Sequence, residues 1–326
     1  MTENENHRDI IIIGGGPAGL TAGIYAARGG AKATIFSGML LGGQLIQTME
    51  VENFPGYFES TPGADIMQNV IKQAKRLGCE ISSDEITEVD FSAKPFKITV
   101  SSKKTFTADA VIVASGAKAQ WMGIPSETKF RNKGVSSCAT CDGFFHRNKD
   151  VCVIGGGDTA AEDALFLTKF CNKVYLVHRR DKLRTNKRSE DKLTSNPKIE
   201  ILYDSVLQEV IGGEKVSGVR IKNVKTNEIK EISLSGVFIA IGYRPETSLF
   251  KDKIEIDSQG YIKTHDHTKT SVKGVFAAGD VMDPIYKQAI IASATGAKAG
   301  MDALRYIEDL QCDMFIKRRA CTDKSE

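Results

Sequence analysis

The sequence predicts an α/β protein of two units, each a parallel sheet covered on both faces, and three observations predict it. Apolar strand-like runs alternate with helical stretches, the pattern that buries a parallel sheet between layers. An apolar run at residues 10–13 opens into Gly14-Gly15-Gly16-Pro17-Ala18-Gly19, and another at residues 151–154 opens into Gly155-Gly156-Gly157-Asp158-Thr159-Ala160. One strand-to-helix device therefore occurs twice. The 326 residues suffice for two domains at about 150 residues each.

Composition narrows the function classes. With 41% hydrophobic and 26% charged residues the chain is neither disordered nor fibrous. A net charge of +3 is too weak to predict a nucleic-acid groove or a membrane-surface patch. No apolar run approaches the ~20 residues that cross a bilayer, and the first nine residues are polar, so a cytoplasmic location is expected. Seven cysteines are too few and too scattered for a disulfide scaffold, and one pair alone is close, Cys138 and Cys141.

In order along the chain, the strand at residues 10–13 and its glycine turn lead into an alanine-rich helix ending near Gly29-Gly30, then a strand at 33–36. Gly42-Gly43-Gln44-Leu45 is a compact turn offering backbone donors, and a buried strand at 110–114 ends in Ser115-Gly116. The second copy runs through a helix to about Asn172 and a strand at 174–178. Near the C-terminus an apolar strand from Val275 ends in Gly279-Asp280, ahead of a long helix with Gly296, Ala299 and Gly300 on close-packing positions. His265 and His267 alternate on a strand-like segment, while Trp121 and Met122 are expected to pack.

Both fingerprints sit in the strand, turn, helix, strand context that nucleotide binding requires, so two Rossmann-like three-layer nucleotide-binding domains are expected. The first glycine (Gly14, Gly155) permits the tight turn. The second (Gly16, Gly157) lets backbone approach a pyrophosphate, and the third position (Gly19, Ala160) must be small for the helix to pack on the strand. The helix N-terminus then presents free N–H groups to the anion. At the end of the next strand an acid selects a ribose 2'-hydroxyl and arginine a 2'-phosphate. The second unit has His178-Arg179-Arg180-Asp181 there with Arg184 close behind, so it reads as selecting NADPH over NADH. Lys182, Lys187 and Arg188 nearby leave a solvated basic face as the alternative. The first unit has Phe36-Ser37 at that place, which leaves its nucleotide open.

Cys138-Ala139-Thr140-Cys141-Asp142-Gly143-Phe144-Phe145, followed by the second fingerprint and the His178-Arg179-Arg180-Asp181 run, resembles the low-molecular-weight bacterial thioredoxin reductases. These are homodimeric flavoproteins of the pyridine nucleotide-disulfide oxidoreductase class, and the resemblance spans residues 9–310. It implies a discontinuous FAD-binding domain, residues 1–117 and 247–326, with an inserted NADPH-binding domain, 118–246, that carries the cysteine pair. FAD would lie on Gly14, Gly16, Pro17, Ala18 and Gly19, on Ser37, Gly38, Gly42, Gly43, Gln44 and Leu45, and on Val51 and Asn53. Ala114, Ser115, Gly116, Gly279, Asp280, Lys287, Gln288 and Ala289 complete that set, with Asp280 on the ribityl chain and Gln288-Ala289 facing the ring. NADPH would lie on Gly155, Gly157, Asp158, Thr159, Ala160, His178, Arg179, Arg180, Arg184, Ile241 and Gly242. Two departures stand out: Lys287 stands where the family often has arginine, losing the bidentate fork, and Asp158 occupies a variable place.

The resemblance further implies thioredoxin-disulfide reductase activity. Electrons pass from NADPH through FAD to the Cys138–Cys141 disulfide, and the dithiol reduces the disulfide of thioredoxin. Cys141 faces the flavin, Cys138 attacks the partner, and Asp142 handles the proton. A disulfide across a two-residue gap exchanges readily, and a helix N-terminus stabilises its thiolates. No metal is expected, because zinc wants four ligands and no second Cys or His pair at ligand spacing is present. Cys79, Cys152, Cys171 and Cys312 read as buried small hydrophobes and Cys321 as a tail thiol. Nicotinamide and disulfide, both on the inserted domain, must each reach the flavin, so that domain is expected to swing on linkers near Lys118 and Pro245. The rivals are a ferredoxin or flavodoxin reductase, which lacks the cysteine pair, a peroxiredoxin-reducing relative with an extra N-terminal domain, and a nucleotide-sensing module.

Overall fold

The isoleucine run lies at the centre of the first sheet, in β1 (His7–Ile13). Ile10 and Ile12 face one apolar cluster and Ile11 and Ile13 the other, each at most 6% exposed. That two-residue alternation is why the strand is apolar throughout. The structure, a computed structural model, describes the backbone of residues 5–322 and the side chains of residues 5–312.

From β1 the chain runs through α1 (Pro17–Arg28), β2 (Ala33–Phe36), α2 (Gly63–Arg76), β3 (Glu80–Ser82), β4 (Ile86–Asp90), β5 (Phe96–Val100), β6 (Thr105–Val113) and β7 (Ala117–Ala119). Next come α3 (Pro125–Phe130), β8 (Val135–Ser136), α4 (Ala139–Asp142), β9 (Asp150–Gly155), α5 (Asp158–Leu167), β10 (Lys173–Val177), α6 (Lys187–Thr194) and β11 (Ile199–Leu202). Then follow β12 (Ser205–Gly212), β13 (Val216–Asn223), β14 (Ile229–Ser233), β15 (Gly236–Ala240), β16 (Tyr243–Pro245), β17 (Val275–Ala277) and α7 (Ala289–Thr322). Two compact units result, Met1–Lys118 with Pro245–Glu326, and Ala119–Arg244.

In the first unit the strand order is β3-β2-β1-β6-β5-β4, with β17 also on β6. Strands β2, β1, β6 and β17 run parallel, with Ile10 opposite both Ala33 and Ala110. Helices α1 and α7 pack together at backbone distance. A Cβ on Gly296 would lie 2.1 Å from the Ala18 carbonyl oxygen, one on Gly300 would lie 2.8 Å from that of Ala22, and Ala299 is fully buried. The close-packing role expected of these three positions is thus met.

In the second unit the order β11-β10-β9-β15-β8 is again parallel. Val151 and Val153 pack with Ala160, Ala161 and Ala164 of α5. Cys152 and Ile154 pack with Leu207, Val210, Val219 and Ile221, so the antiparallel sheet β12-β13-β14 forms the third layer.

Some expectations need correction. The helix expected to reach about Asn172 ends at Leu167, where the Thr168 hydroxyl donates back to the Leu165 carbonyl, 2.7 Å, and the chain turns. His265 and His267 do not share a strand: Asp266 and His267 take positive φ (43° and 77°) in a turn closed by the His265–Lys269 bridge. Cys79, Cys152 and Cys171 are buried, but Cys312 is exposed on α7; the Cys321 side chain lies outside the described residues. Among the described residues no helix is long and apolar enough to cross a membrane.

Candidate active site

The first glycine turn leaves the C-terminal end of β1, between β2 and β6. There the strand order reverses and opens a crevice for a ligand. Gly14 has φ +114°, and a Cβ on it would sit 2.2 Å from the Ala114 carbonyl oxygen, so no other residue fits. A Cβ on Gly19 would meet the Gly14 oxygen at 1.9 Å, which presses α1 against the turn. Gly16, by contrast, has nothing nearer its Cβ position than the Gly43 Cα at 3.7 Å. Gly16 is the N-cap of α1 and Pro17 occupies the first turn, so the amides of Ala18 and Gly19 have no acceptor within the helix. Bare backbone over a helix N-terminus is the fit a pyrophosphate needs.

The other expected FAD residues gather on the same unit. The Gly42 amide donates to the Gly15 carbonyl, 2.8 Å, and a Cβ on Gly43 would touch the Gly16 Cα at 2.8 Å, so the two glycine turns lie backbone to backbone. Ser37 donates to the carbonyls of Gly38 and Ser82, 3.0 and 3.1 Å. Gln44 donates to the Ala117 carbonyl, and the Leu45 carbonyl oxygen would lie 1.9 Å from a Cβ on Gly63. Val51 is buried and pairs with Thr61. The Asn53 amide donates to Gln288 Oε1, 3.1 Å, joining two distant stretches of sequence. Ser115 donates to the Glu246 carbonyl, 2.7 Å, and Gly116 has φ +75°.

Gly279 donates its amide to Thr295 Oγ1, 2.9 Å, on α7, whose first residue is Ala289. Beside it, half-buried Asp280 has its pKa pushed up to about 6, first by burial and then by Asp283, with Lys287 pulling the other way. Lys287 lies over the Tyr261 ring, 5.7 Å from its centroid, and donates to the Pro284 carbonyl.

In the second unit Cys138 and Cys141 are joined as a disulfide, with Cα atoms 5.3 Å apart. Cys138 is the N-cap of α4, and the Cys141 amide donates to Cys138 Sγ, 3.1 Å. The Asp142 amide donates to the Cys138 carbonyl, 3.1 Å. Two residues overlooked in the sequence hold this turn. Ser136 Oγ accepts from the Cys138 amide, 3.0 Å, and Tyr243 donates its hydroxyl to the Ser137 carbonyl, 2.7 Å. A serine two residues before the pair was a readable signal; a tyrosine about a hundred positions away was not. His146 is buried against Ser235, Nδ1 to Oγ 2.9 Å, and burial pushes its pKa down to about 4. Trp121 and Met122 pack on the nearby apolar cluster, as expected.

The second glycine turn repeats the first with a different third residue. A Cβ on Gly155 would lie 2.7 Å from that of Ala160, so alanine is accommodated because Gly155 is bare. Around Gly157, the N-cap of α5, nothing lies within 4 Å of a Cβ position. Asp158 and Thr159 are exposed on the first turn of that helix. His178 is buried under the turn: a Cβ on Gly156 would lie 2.1 Å from its Nδ1. Burial holds its pKa below the usual histidine range, and the charges of Arg184 and Arg180 act the same way. Arg179, Arg180 and Arg184 are exposed on the loop after β10. Ile241 is 38% exposed just after β15, and the Gly242 carbonyl accepts from the Gln120 amide, 2.9 Å.

Residues 8–296 match the model of the family described as pyridine nucleotide-disulphide oxidoreductase. The chain is 48% identical over 302 residues to a thioredoxin reductase of Rickettsia prowazekii, covering 91% of this chain and 97% of that one. It is 44% identical over 305 residues to one of Streptomyces coelicolor, covering 93% and 95%. Its structure resembles thioredoxin reductase from Giardia duodenalis, with a TM-score of 0.90, 42% identity and coverage of 93% and 100%. That from Streptococcus pyogenes gives 0.90, 38%, 94% and 100%. The chain therefore belongs to the pyridine nucleotide-disulphide oxidoreductase family and, within it, to the thioredoxin reductases of low-molecular-weight bacterial type.

Proposed function

We propose that the chain is a homodimeric thioredoxin-disulfide reductase that binds FAD on the unit Met1–Lys118 with Pro245–Glu326, and NADPH on the unit Ala119–Arg244. The observation that carries the reading is a disulfide on a helix N-cap, in one unit with an arginine-marked nucleotide turn, while a second nucleotide turn occupies the other unit. Bound FAD and NADPH supply the two-electron transfer that no side chain of the chain provides.

The chain's own residues bind, orient and exchange. The amides of Gly16, Ala18 and Gly19 would hold the FAD pyrophosphate, with Pro17 fixing the first turn of the helix and the Gly42-Gly43 turn aiding. Asp280 would accept from ribityl hydroxyls, and the start of α7 at Gln288-Ala289 would supply a positive dipole end for the ring. Arg179, Arg180 and Arg184 would take the 2'-phosphate of NADPH, while buried His178 backs the glycine turn.

Disulfide exchange needs only sulfur and proton chemistry. With the pair reduced, the Cys138 thiolate attacks one sulfur of the thioredoxin disulfide, and the other thioredoxin sulfur leaves and takes a proton from Asp142. Cys141 then attacks Cys138 Sγ in the mixed disulfide, reforming the internal disulfide and releasing dithiol thioredoxin. The Cys141 amide that donates to Cys138 Sγ stabilises that thiolate before attack. The chain crosses between the units near Lys118 and Pro245, the linkers on which the inserted unit would turn between the two half-reactions. Met39, Met49, Phe58, Ile285 and Tyr286 are each at least 64% exposed on the FAD unit, apolar side chains that a second copy would cover. The buried thiols at Cys79, Cys152 and Cys171 suit a reducing cytoplasm.

The test is NADPH oxidation by the purified, yellow protein with thioredoxin as acceptor. NADPH-dependent appearance of thioredoxin thiols is expected. A protein that takes up no flavin, or whose disulfide survives excess NADPH, refutes the reading.

A further inference from the structure

The three arginines assigned to the 2'-phosphate lie on an irregular loop, residues 178–186, and are exposed. Long side chains on a free loop would be poorly directed, because each must lose rotamer freedom to meet the phosphate. This loop, however, is fastened to the glycine turn. The Arg184 amide donates to the Gly156 carbonyl, 2.6 Å. The Thr185 hydroxyl donates to Asp158 Oδ1, 2.7 Å, and the Asn186 amide to the same oxygen, 3.4 Å. Asn186 in turn caps α6 by accepting from the Ser189 amide, 2.9 Å. On the inner side Leu183 is 4% exposed in the apolar cluster, and the His178 ring lies between the Lys182 carbonyl, 3.0 Å from Nε2, and Gly156.

We propose that the Asp158–Thr185 contact is a positioning device for nucleotide selection. It holds the backbone at Arg184 in register with the Gly155–Gly157 turn, so that pyrophosphate and 2'-phosphate are gripped together. The proposal rests on the reading of this unit as the NADPH site. The reason is geometric: the two phosphate groups are tethered to one adenosine ribose and span a limited distance, so a loop that drifts from the turn meets one or the other. Asp158 is then a positioning residue whose oxygen is engaged by Thr185 and Asn186. NADH, which has no 2'-phosphate, does not depend on the register.

The experiment is steady-state kinetics of the holoenzyme with thioredoxin, comparing NADPH and NADH for wild type, Thr185→Ala, Thr185→Ser, Asp158→Ala and the double alanine variant. Loss of one hydrogen bond to a charged group predicts that KM for NADPH rises about tenfold in Thr185→Ala. Its KM for NADH and its kcat stay within about twofold, so the NADPH preference falls about tenfold, and Thr185→Ser restores it. Asp158→Ala lowers the preference likewise, and the double variant loses no more than the larger single loss, as expected for one shared contact. A general loosening of the unit would instead raise KM for both nucleotides together, and that result, additive losses, or an unchanged preference in both single variants would overturn the proposal. Wild-type enzyme without NADPH preference would overturn the NADPH reading itself, an outcome visible before any variant is measured.

Discussion

Replacing Asp280 by asparagine should strengthen the flavin-free fold while weakening flavin binding. The Asp280 carboxyl is held at about 6 against an ordinary value of 3.8, by burial first and Asp283 second. Between those two values the folded chain keeps a proton that the unfolded chain has lost, so stability falls as pH rises through the window and is level above it. At about 1.36 kcal/mol per pH unit the full cost of ionisation is roughly 3 kcal/mol, reduced by whatever solvent reaches the half-buried carboxylate. Asparagine cannot ionise, so flavin-stripped Asp280→Asn should exceed wild type by about 1–3 kcal/mol at neutral pH. The gap should close as the solution is acidified toward pH ~4. With FAD saturating, that advantage is offset, because losing a charge-assisted acceptor for ribityl hydroxyls raises the Kd by about ten- to a hundredfold, roughly 1.4–2.7 kcal/mol. Urea denaturation of the apoprotein across that pH range, together with fluorescence titration with FAD, measures both effects. Parallel wild-type and variant stability profiles, with no convergence in acid, would refute the reasoning.

Cys138→Ser and Cys141→Ser should each retain NADPH-driven flavin bleaching while thioredoxin reduction drops to background, read by stopped-flow absorbance and an insulin-coupled assay. Gly296→Ala places a Cβ 2.1 Å from the Ala18 carbonyl oxygen. The resulting separation of α1 and α7 should cost about 1–3 kcal/mol, seen as a lower Tm and faster flavin loss. Glu127, fully buried, accepts from the amides of Met122 and Gly123 at 3.1 and 2.8 Å and faces Arg131. Glu127→Ala should therefore destabilise the second unit by about 3–5 kcal/mol. Because Arg131 lies 4.0 Å over the ring of Trp121, the chain's single tryptophan, its fluorescence reports the loss.

What could be read from the sequence was whatever a local pattern encodes. Isoleucines at 10–13 spell a buried strand, and Gly14, Gly16 and Gly19 at their spacing spell a turn that must bare its backbone. Two cysteines with two residues between them spell a bridge, and arginines after a strand spell a phosphate. The strand, the bare turn and the bridge are met in the structure because each is enforced within one turn or one strand. The histidine segment at 265–267 was misread because alternation alone does not distinguish a strand from a turn taking positive φ. Cys312 was misread because exposure depends on which face of α7 meets the sheet.

Tertiary structure alone decided the couplings between residues far apart in the chain. It joined Asn53 to Gln288 and Tyr243 to Ser137, and put His178 beneath Gly156. It also raised the Asp280 pKa, since burial belongs to the packed crevice and not to the residue. A sequence pattern specifies which groups must be small, apolar or charged. Which distant group answers each of them is set only when the sheet closes and the helices dock, because hydrogen bonding and desolvation act through space over a few ångströms regardless of separation along the chain.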